Sequence, residues 1–178
     1  SIMTSDATGA PLEGADLVEL PYGEKTTWGE WTRRHPDTSI LSVDGEEHEL
    51  ENSYDDYFAS EETYRDLQID DQRLPPKEHV YSFWLDGQPV AVAHRSIEGG
   101  ALHEVGGRTL LFFRPAGASF QASSEAWVLG DSAPEDGSPA DLAAAARGES
   151  LPGAERLPGF DTFWYSWVAV NGESELVE

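Results

Sequence analysis

Five histidines, His35, His48, His79, His94 and His103, are the side chains of this sequence whose ordinary pKa lets them change charge between about pH 5 and 8. None pairs with another at helical i, i+3 or i+4 spacing. His35 opens the string His35-Pro36-Asp37 just past a predicted helix, where an imidazole can bond the last carbonyls. We favour that capping role over a ligand or proton-shuttle role. His103-Glu104 follows Gly99-Gly100, and with His94 it has the composition of a two-histidine, one-carboxylate metal site. Nothing in the spacing requires such a site, and a surface histidine pair is the simpler reading. Asp55-Asp56, Glu61-Glu62 and Asp70-Asp71 are acid doublets that could chelate calcium or another hard divalent cation. No Asp-x-Asp-x-Asp-Gly loop accompanies them, and doublets are expected by chance in so acidic a chain. Tyr54, Tyr57, Tyr64 and the tryptophans could line a carbohydrate or peptide groove, with core packing as the favoured alternative. No Gly-x-Ser-x-Gly elbow, phosphate-binding loop or cysteine is present. The sequence therefore presents no catalytic set and no cofactor-binding set of its own.

The chain has 178 residues, with 34 acids against 11 basic residues and a formal net charge of −23. Its basic residues include only two lysines, Lys25 and Lys77. No basic run exceeds Arg33-Arg34, so a phosphate backbone is not an expected partner. No apolar stretch approaches the roughly 20 residues that span a bilayer as a helix. The acids are dispersed along the chain rather than gathered in a tail; the densest stretch is Asp44 to Glu51. Self-repulsion at such a charge disfavours a compact state in dilute buffer. In about 1 M salt the Debye length falls to about 3 Å and the repulsion is screened. An acidic, lysine-poor, cysteine-free chain is the composition of a protein from an extreme halophile.

The elements that would position these residues read as α+β. The fold expected is strand-rich, a mainly antiparallel sheet with short peripheral helices. Thr27, with Glu30 three residues on, opens a helix that must stop before Pro36. Thr38 to Val43 alternates as a strand, Tyr54 to Phe58 reads as an aromatic loop, and Ser60 caps a helix over Glu61 to Leu67. His79 to Leu85 and Pro89 to Ala93 flank the turn Asp86-Gly87 as a hairpin. Gly106-Gly107 is a second turn before Thr109 to Phe113, the most apolar run and a predicted central strand. Ser119 to Ala122 and Ala126 to Leu129 are further predicted strands. Ser138-Pro139 opens a helix that ends near Gly148. Phe163 to Val170 is a closing aromatic strand or helix.

The two ends of the chain match each other. Gly9, Leu12, Gly14 and Ala15 recur as Gly148, Leu151, Gly153 and Ala154, and Leu20-Pro21 recurs as Leu157-Pro158. Gly23, Thr26, Trp28 and Trp31 recur 136 residues later as Gly159, Thr162, Trp164 and Trp167. We expect a pseudo-two-fold internal repeat with the front of the first copy missing. Residues 1–50 are then the tail of copy 1, 51–78 an aromatic and acidic connector, and 79–178 copy 2, all packed as one domain.

Thr26-Thr27-Trp28-Gly29-Glu30-Trp31 followed by His35-Pro36-Asp37-Thr38 resembles a signature of the domain-of-unknown-function family 3179. Arg73-Leu74-Pro75-Pro76-Lys77-Glu78-His79-Val80, Val105-Gly106-Gly107-Arg108 and Phe163-Trp164-Tyr165-Ser166-Trp167 resemble further segments of it, in the same order. The resemblance implies a secreted or membrane-attached protein of a bacterium or a halophilic archaeon. It also implies an upstream half bearing a C-P-x-C motif. The equivalent place in copy 2 holds Arg114-Pro115-Ala116-Gly117, without cysteine. No activity is implied.

The function expected is a non-enzymatic extracellular or cell-surface interaction or structural module of a halophile, with a cytoplasmic location as the other option. Its expected partner is the upstream half of the same protein, on the same or a cleaved chain, or a homo-oligomer or larger assembly. The alternative is a scaffold half of an enzyme, redox or metal protein whose cysteine-bearing centre lies upstream. The residues singled out as motif or structural positions are Trp28, Trp31, His35, Pro36, Asp37, Trp164 and Trp167.

Overall fold

The computed structural model describes residues 6–7, 10–11, 23, 25–40, 54–119, 122–132 and 136–177. The fold is α+β, with two mainly antiparallel four-stranded sheets and a few short helices. A small pair, β1 (Asp6–Ala7) and β2 (Ala10–Pro11), comes first. α1 (Trp28–Arg34) and α2 (Asp55–Ala59) follow, then a 3-10 turn at Tyr64–Asp66.

The predicted hairpin is β3 (His79–Leu85) and β4 (Gln88–Ala93). Asp86 and Gly87 both take positive φ, 51° and 83°, the two-residue turn whose twist matches the strands it joins. α3 (His94–Ile97) leads into β5 (Ala101–Val105). Gly106-Gly107, again with both φ positive, turns the chain into β6 (Arg108–Phe113). Then come β7 (Glu125–Leu129), α4 (Pro139–Arg147), β8 (Ala154–Arg156), β9 (Gly159–Phe163), α5 (Trp164–Val168) and β10 (Glu175–Val177). α4 begins as its sequence dictates: Ser138 Oγ accepts the Asp141 N–H at 3.2 Å, and Pro139 occupies the first helical position.

The first sheet runs β10-β4-β3-β9, and the second runs β5-β6-β7-β8. Among the described strands of these two sheets, only β10 is parallel to its neighbour, β4. Period-two alternation gives each sheet two apolar faces. Tyr81, Phe83, Leu85, Val90 and Val92 meet Val105, Leu110, Phe112 and Ala126 between the sheets. On the outer face of the first sheet, Val80, Ala91 and Ala93 take Trp164, Trp167 and Val168 of α5. On the outer face of the second, Leu111 and Trp127 take Leu142 and Ala143 of α4. The order of layers is helix, sheet, sheet, helix.

Several expectations are corrected. Tyr54 to Phe58 is mostly the helix α2, and the backbone N–H of Ser60 closes that helix on the Asp56 carbonyl instead of opening another. Glu61 to Leu67 holds only the 3-10 turn, because Arg65 and Asp66 take left-handed φ that no α-helix continues through. His103 and Glu104 lie in β5, not in a loop. Thr38 to Ile40 is not strand, and Leu41 to Val43 lies outside the described residues. Ser119 and Ala122 are not strand either. The repeat matches at Gly9, Leu12, Gly14, Ala15 and Leu20-Pro21 involve side chains outside the described residues.

Gly159 is required by a neighbour. A Cβ there would lie 2.5 Å from the ring of Tyr81, whose hydroxyl donates to the Leu157 carbonyl at 2.9 Å. A Cβ at Gly23 would meet nothing within 4 Å. Gly159→Ala is expected to lower stability by about 1–3 kcal/mol in denaturant titration, as overpacking does. Gly23→Ala is expected to stay within about 0.5 kcal/mol of the parent.

Candidate functional site

α1 is short, and its ends are fixed locally. Thr27 Oγ1 accepts the Glu30 N–H at 3.2 Å, while the Glu30 carboxylate pairs with Arg33 and Arg34. His35 ends the helix through its backbone N–H, which donates to the Trp31 carbonyl at 2.8 Å. Its ring lies on Trp31 at 4.1 Å between centroids. The cap expected from the imidazole is therefore made by the main chain, and the imidazole serves as packing. Pro36 and Asp37 form the exposed turn beyond, and Trp31 Nε1 donates to Thr38 Oγ1 at 2.9 Å.

Between α1, α2 and β9 lies a cleft of about 950 Å³. Trp28 and Trp31 come from α1, Phe58 from α2, His79 from β3 and Phe163 from β9. Lys25 and Asp161 stand at its base.

Asp161 is the centre of a buried charge cluster that the sequence reading missed. Its Oδ1 lies 2.7 Å from His94 Nε2, and its Oδ2 accepts the Ser124 N–H at 3.0 Å. Buried Arg114 places Nη1 3.9 Å from the same carboxylate and donates to the carbonyls of Ser119 and Ala122. Lys25 Nζ reaches the Asp161 main-chain carbonyl at 3.4 Å. The Lys25 backbone is anchored separately: its N–H donates to Ser123 Oγ, which donates to its carbonyl. His79 stacks on His94 at 5.6 Å between centroids.

Burial opposes charge on Asp161, but hydrogen bonds from His94 and Ser124 outweigh it and hold the carboxyl below its usual range. Burial lowers Lys25; Asp161 opposes the shift and Arg114 adds to it. Burial, with the nearby charges of His94, Lys25 and Arg114, pushes His79 down to about 4, against the pull of Asp161. The cleft thus holds an ionised carboxylate, a lysine and a neutral imidazole, with the buried Arg114 guanidinium behind the carboxylate. Asp161 and Arg114 are turned inward onto each other, His94, Ser124 and main-chain carbonyls. The walls facing outward are aromatic.

His94 belongs to this cluster. His103 does not join it: its ring lies edge-on to Phe112 at 5.8 Å, and Glu104 accepts from the Thr109 hydroxyl. Among the described residues no group of three His, Cys, Asp or Glu side chains gathers as metal ligands do. Asp56 is exposed on α2, and the Asp55 side chain lies outside the described residues. Trp28 and Trp31 line the cleft, whereas Trp164 and Trp167 are buried under the first sheet. Two signals in the sequence pointed to the cluster: an acid inside the aromatic string Phe160-Asp161-Thr162-Phe163, and an arginine closing the most apolar run.

His79 gives a pH signature. Its folded pKa lies below the ordinary 6.5, so the unfolded chain binds the proton first. The stability it contributes is whole above about pH 6.5 and is lost progressively down to about pH 4. The melting temperature is expected to fall through that window, and His79→Gln to remove part of the fall. An identical pH profile in the variant would contradict this assignment.

A family described as a protein of unknown function, DUF3179, matches residues 1–174. No curated protein and no solved structure matches the chain.

Proposed function

We propose that this chain, which belongs to the DUF3179 family of proteins of unknown function, is a non-enzymatic interaction module working at high salt, outside the cell or at its surface. The observation that carries the reading is the make-up of the cleft. Its walls are Trp28, Trp31, Phe58 and Phe163, while the Asp161 and Arg114 charges beneath are bonded within the protein. Exposed aromatics around a fixed polar base are what a recognition surface offers a partner.

The high-salt setting is supported by 34 acids against 11 basic residues, spread along the chain. The location is supported by the family resemblance described above. No helix of the described residues is long and apolar enough to cross a membrane.

The test is a photo-crosslinking residue at position 58, activated in cells of the source organism and in extracts at molar or dilute potassium chloride. The expected result is an adduct with one polypeptide of discrete mass at molar salt. That adduct should be lost in Trp31→Asp and lost in dilute buffer, where tryptophan fluorescence should show unfolding. No polypeptide adduct at molar salt would overturn the module reading. A fold and melting temperature indifferent to salt would overturn its high-salt setting.

A further inference from the structure

The segments 23–38 and 159–174 share hydrogen bonds as well as their four identical residues. Trp31 Nε1 donates to Thr38 Oγ1 at 2.9 Å, and 136 residues later Trp167 Nε1 donates to Ser174 Oγ at 2.6 Å. The His35 N–H donates to the Trp31 carbonyl at 2.8 Å, and the Asn171 N–H to the Trp167 carbonyl at 3.0 Å. The Thr38 N–H donates to the His35 carbonyl at 3.1 Å, and the Ser174 N–H to the Asn171 carbonyl at 2.9 Å. Each helix starts at a tryptophan after an extended residue, Thr27 at φ −77°, ψ 154° and Phe163 at φ −84°, ψ 147°. These are two copies of one unit: an extended segment, a short helix, and an indole latched to a hydroxyl.

The surroundings of the two copies differ. In the second, β9 is paired with β3: Thr162 stands opposite Val80, and the Trp164 N–H donates to the Glu78 carbonyl at 2.8 Å. The hairpin β3–β4 covers Trp164 and Trp167 with Val80, Ala91 and Ala93, leaving those indoles 0% and 2% exposed. Gly159 makes room for Tyr81 of the same hairpin. In the first copy α1 buries no residue, and Trp28 is 52% exposed. Among the described residues no backbone hydrogen bond is made by Thr26 or by the Trp28 N–H. The space beside Gly23 is open where Gly159 has Tyr81.

We propose that the edge at Lys25–Trp28 and the indole face of α1 dock an antiparallel β-hairpin of a partner polypeptide, with small aliphatic residues on its inward face and one aromatic beside Gly23. The hairpin pairs with this extended segment through the Thr26 N–H and carbonyl and the Trp28 N–H, and lays its aliphatic face on Trp28 and Trp31. This is strand addition, in which main-chain bonds give affinity and alternate side chains give selectivity. The pattern for the occupant is the hairpin that already covers α5 in this chain. The proposal rests on the module reading above and specifies its partner.

The probe is residues 79–93 closed head to tail through a second two-residue turn, because an open two-stranded hairpin is marginal in water. Its amide chemical shifts establish that it is a hairpin before use. Titrated into the full chain at molar salt, it is expected to bind saturably and to shift the tryptophan emission to the blue. Thr26→Pro, which removes the edge donor, and Trp28→Glu, which puts charge on the covered face, are each expected to weaken binding at least tenfold. Circular dichroism would confirm that each variant is folded. No saturable binding of the formed hairpin overturns the proposal, as does equal affinity in both variants. If the crosslink at position 58 finds a polypeptide while the hairpin fails, the module stands and the hairpin chemistry falls. If both fail, the module reading falls with it.

Discussion

Much of this structure hangs on one buried carboxylate. Asp161 sits in β9, at the edge of the first sheet, and bonds His94 at the exit of β4 and the main chain at Ser124 on the approach to β7. It therefore ties the edge of one sheet to the entry of the other. Arg114 stands where β6 ends and holds the loop to Ala122 by its carbonyls while facing the same carboxylate. An unpaired charge in such a place costs several kcal/mol, so each member of the cluster constrains the others. Lys25 and His79, which line the cleft, are placed against this knot by Asp161, Ser123 and His94.

The cluster also joins the two segments that we propose are copies of one unit. Lys25 and Asp161 occupy the same position in the two segments, 136 residues apart, and they touch. In the second copy that position supplies the anion, and in the first it supplies a cation. The Lys25 ammonium rests on the Asp161 main-chain carbonyl rather than on its carboxylate, and the aromatic cleft opens beside this contact. One unit has both tryptophans under a sheet, whereas the other exposes Trp28 and leaves Trp31 half-buried. That asymmetry, rather than any reactive group, is what distinguishes this surface.

What the sequence revealed follows from how local each signal is. The hairpin at Asp86-Gly87, the turn at Gly106-Gly107 and the Ser138-Pro139 helix start depend on residues within a few positions of each other, and each is found as expected. α3, β5, β8 and β10 were not foreseen. β8 and β10 are three residues each, too short for periodicity, and stand as strands because β7 and β4 pair with them. The helix expected after Ser60 yielded to left-handed backbone at Arg65 and Asp66. At the site, the tryptophans of the repeat were legible because they recur at fixed spacing. Asp161 and Arg114 were missed, because an acid inside an aromatic string and an arginine closing an apolar run gain their meaning only once the fold buries them together. His94 was noticed as a possible metal ligand beside His103, whereas its partner in space is a carboxylate 67 residues away.

In the proposed pairing of the two segments, α1 with its leading segment is an uncovered counterpart of α5 with β9. Amide hydrogen exchange of the chain alone, at molar salt, tests it most directly, since protection reports local opening residue by residue. Strong protection is expected at Thr162, Trp164 and the amides of α5, and fast exchange at Thr26, Trp28 and the amides of α1. Equal protection at the two sets of positions would contradict it, for it would mean that the first copy is already covered.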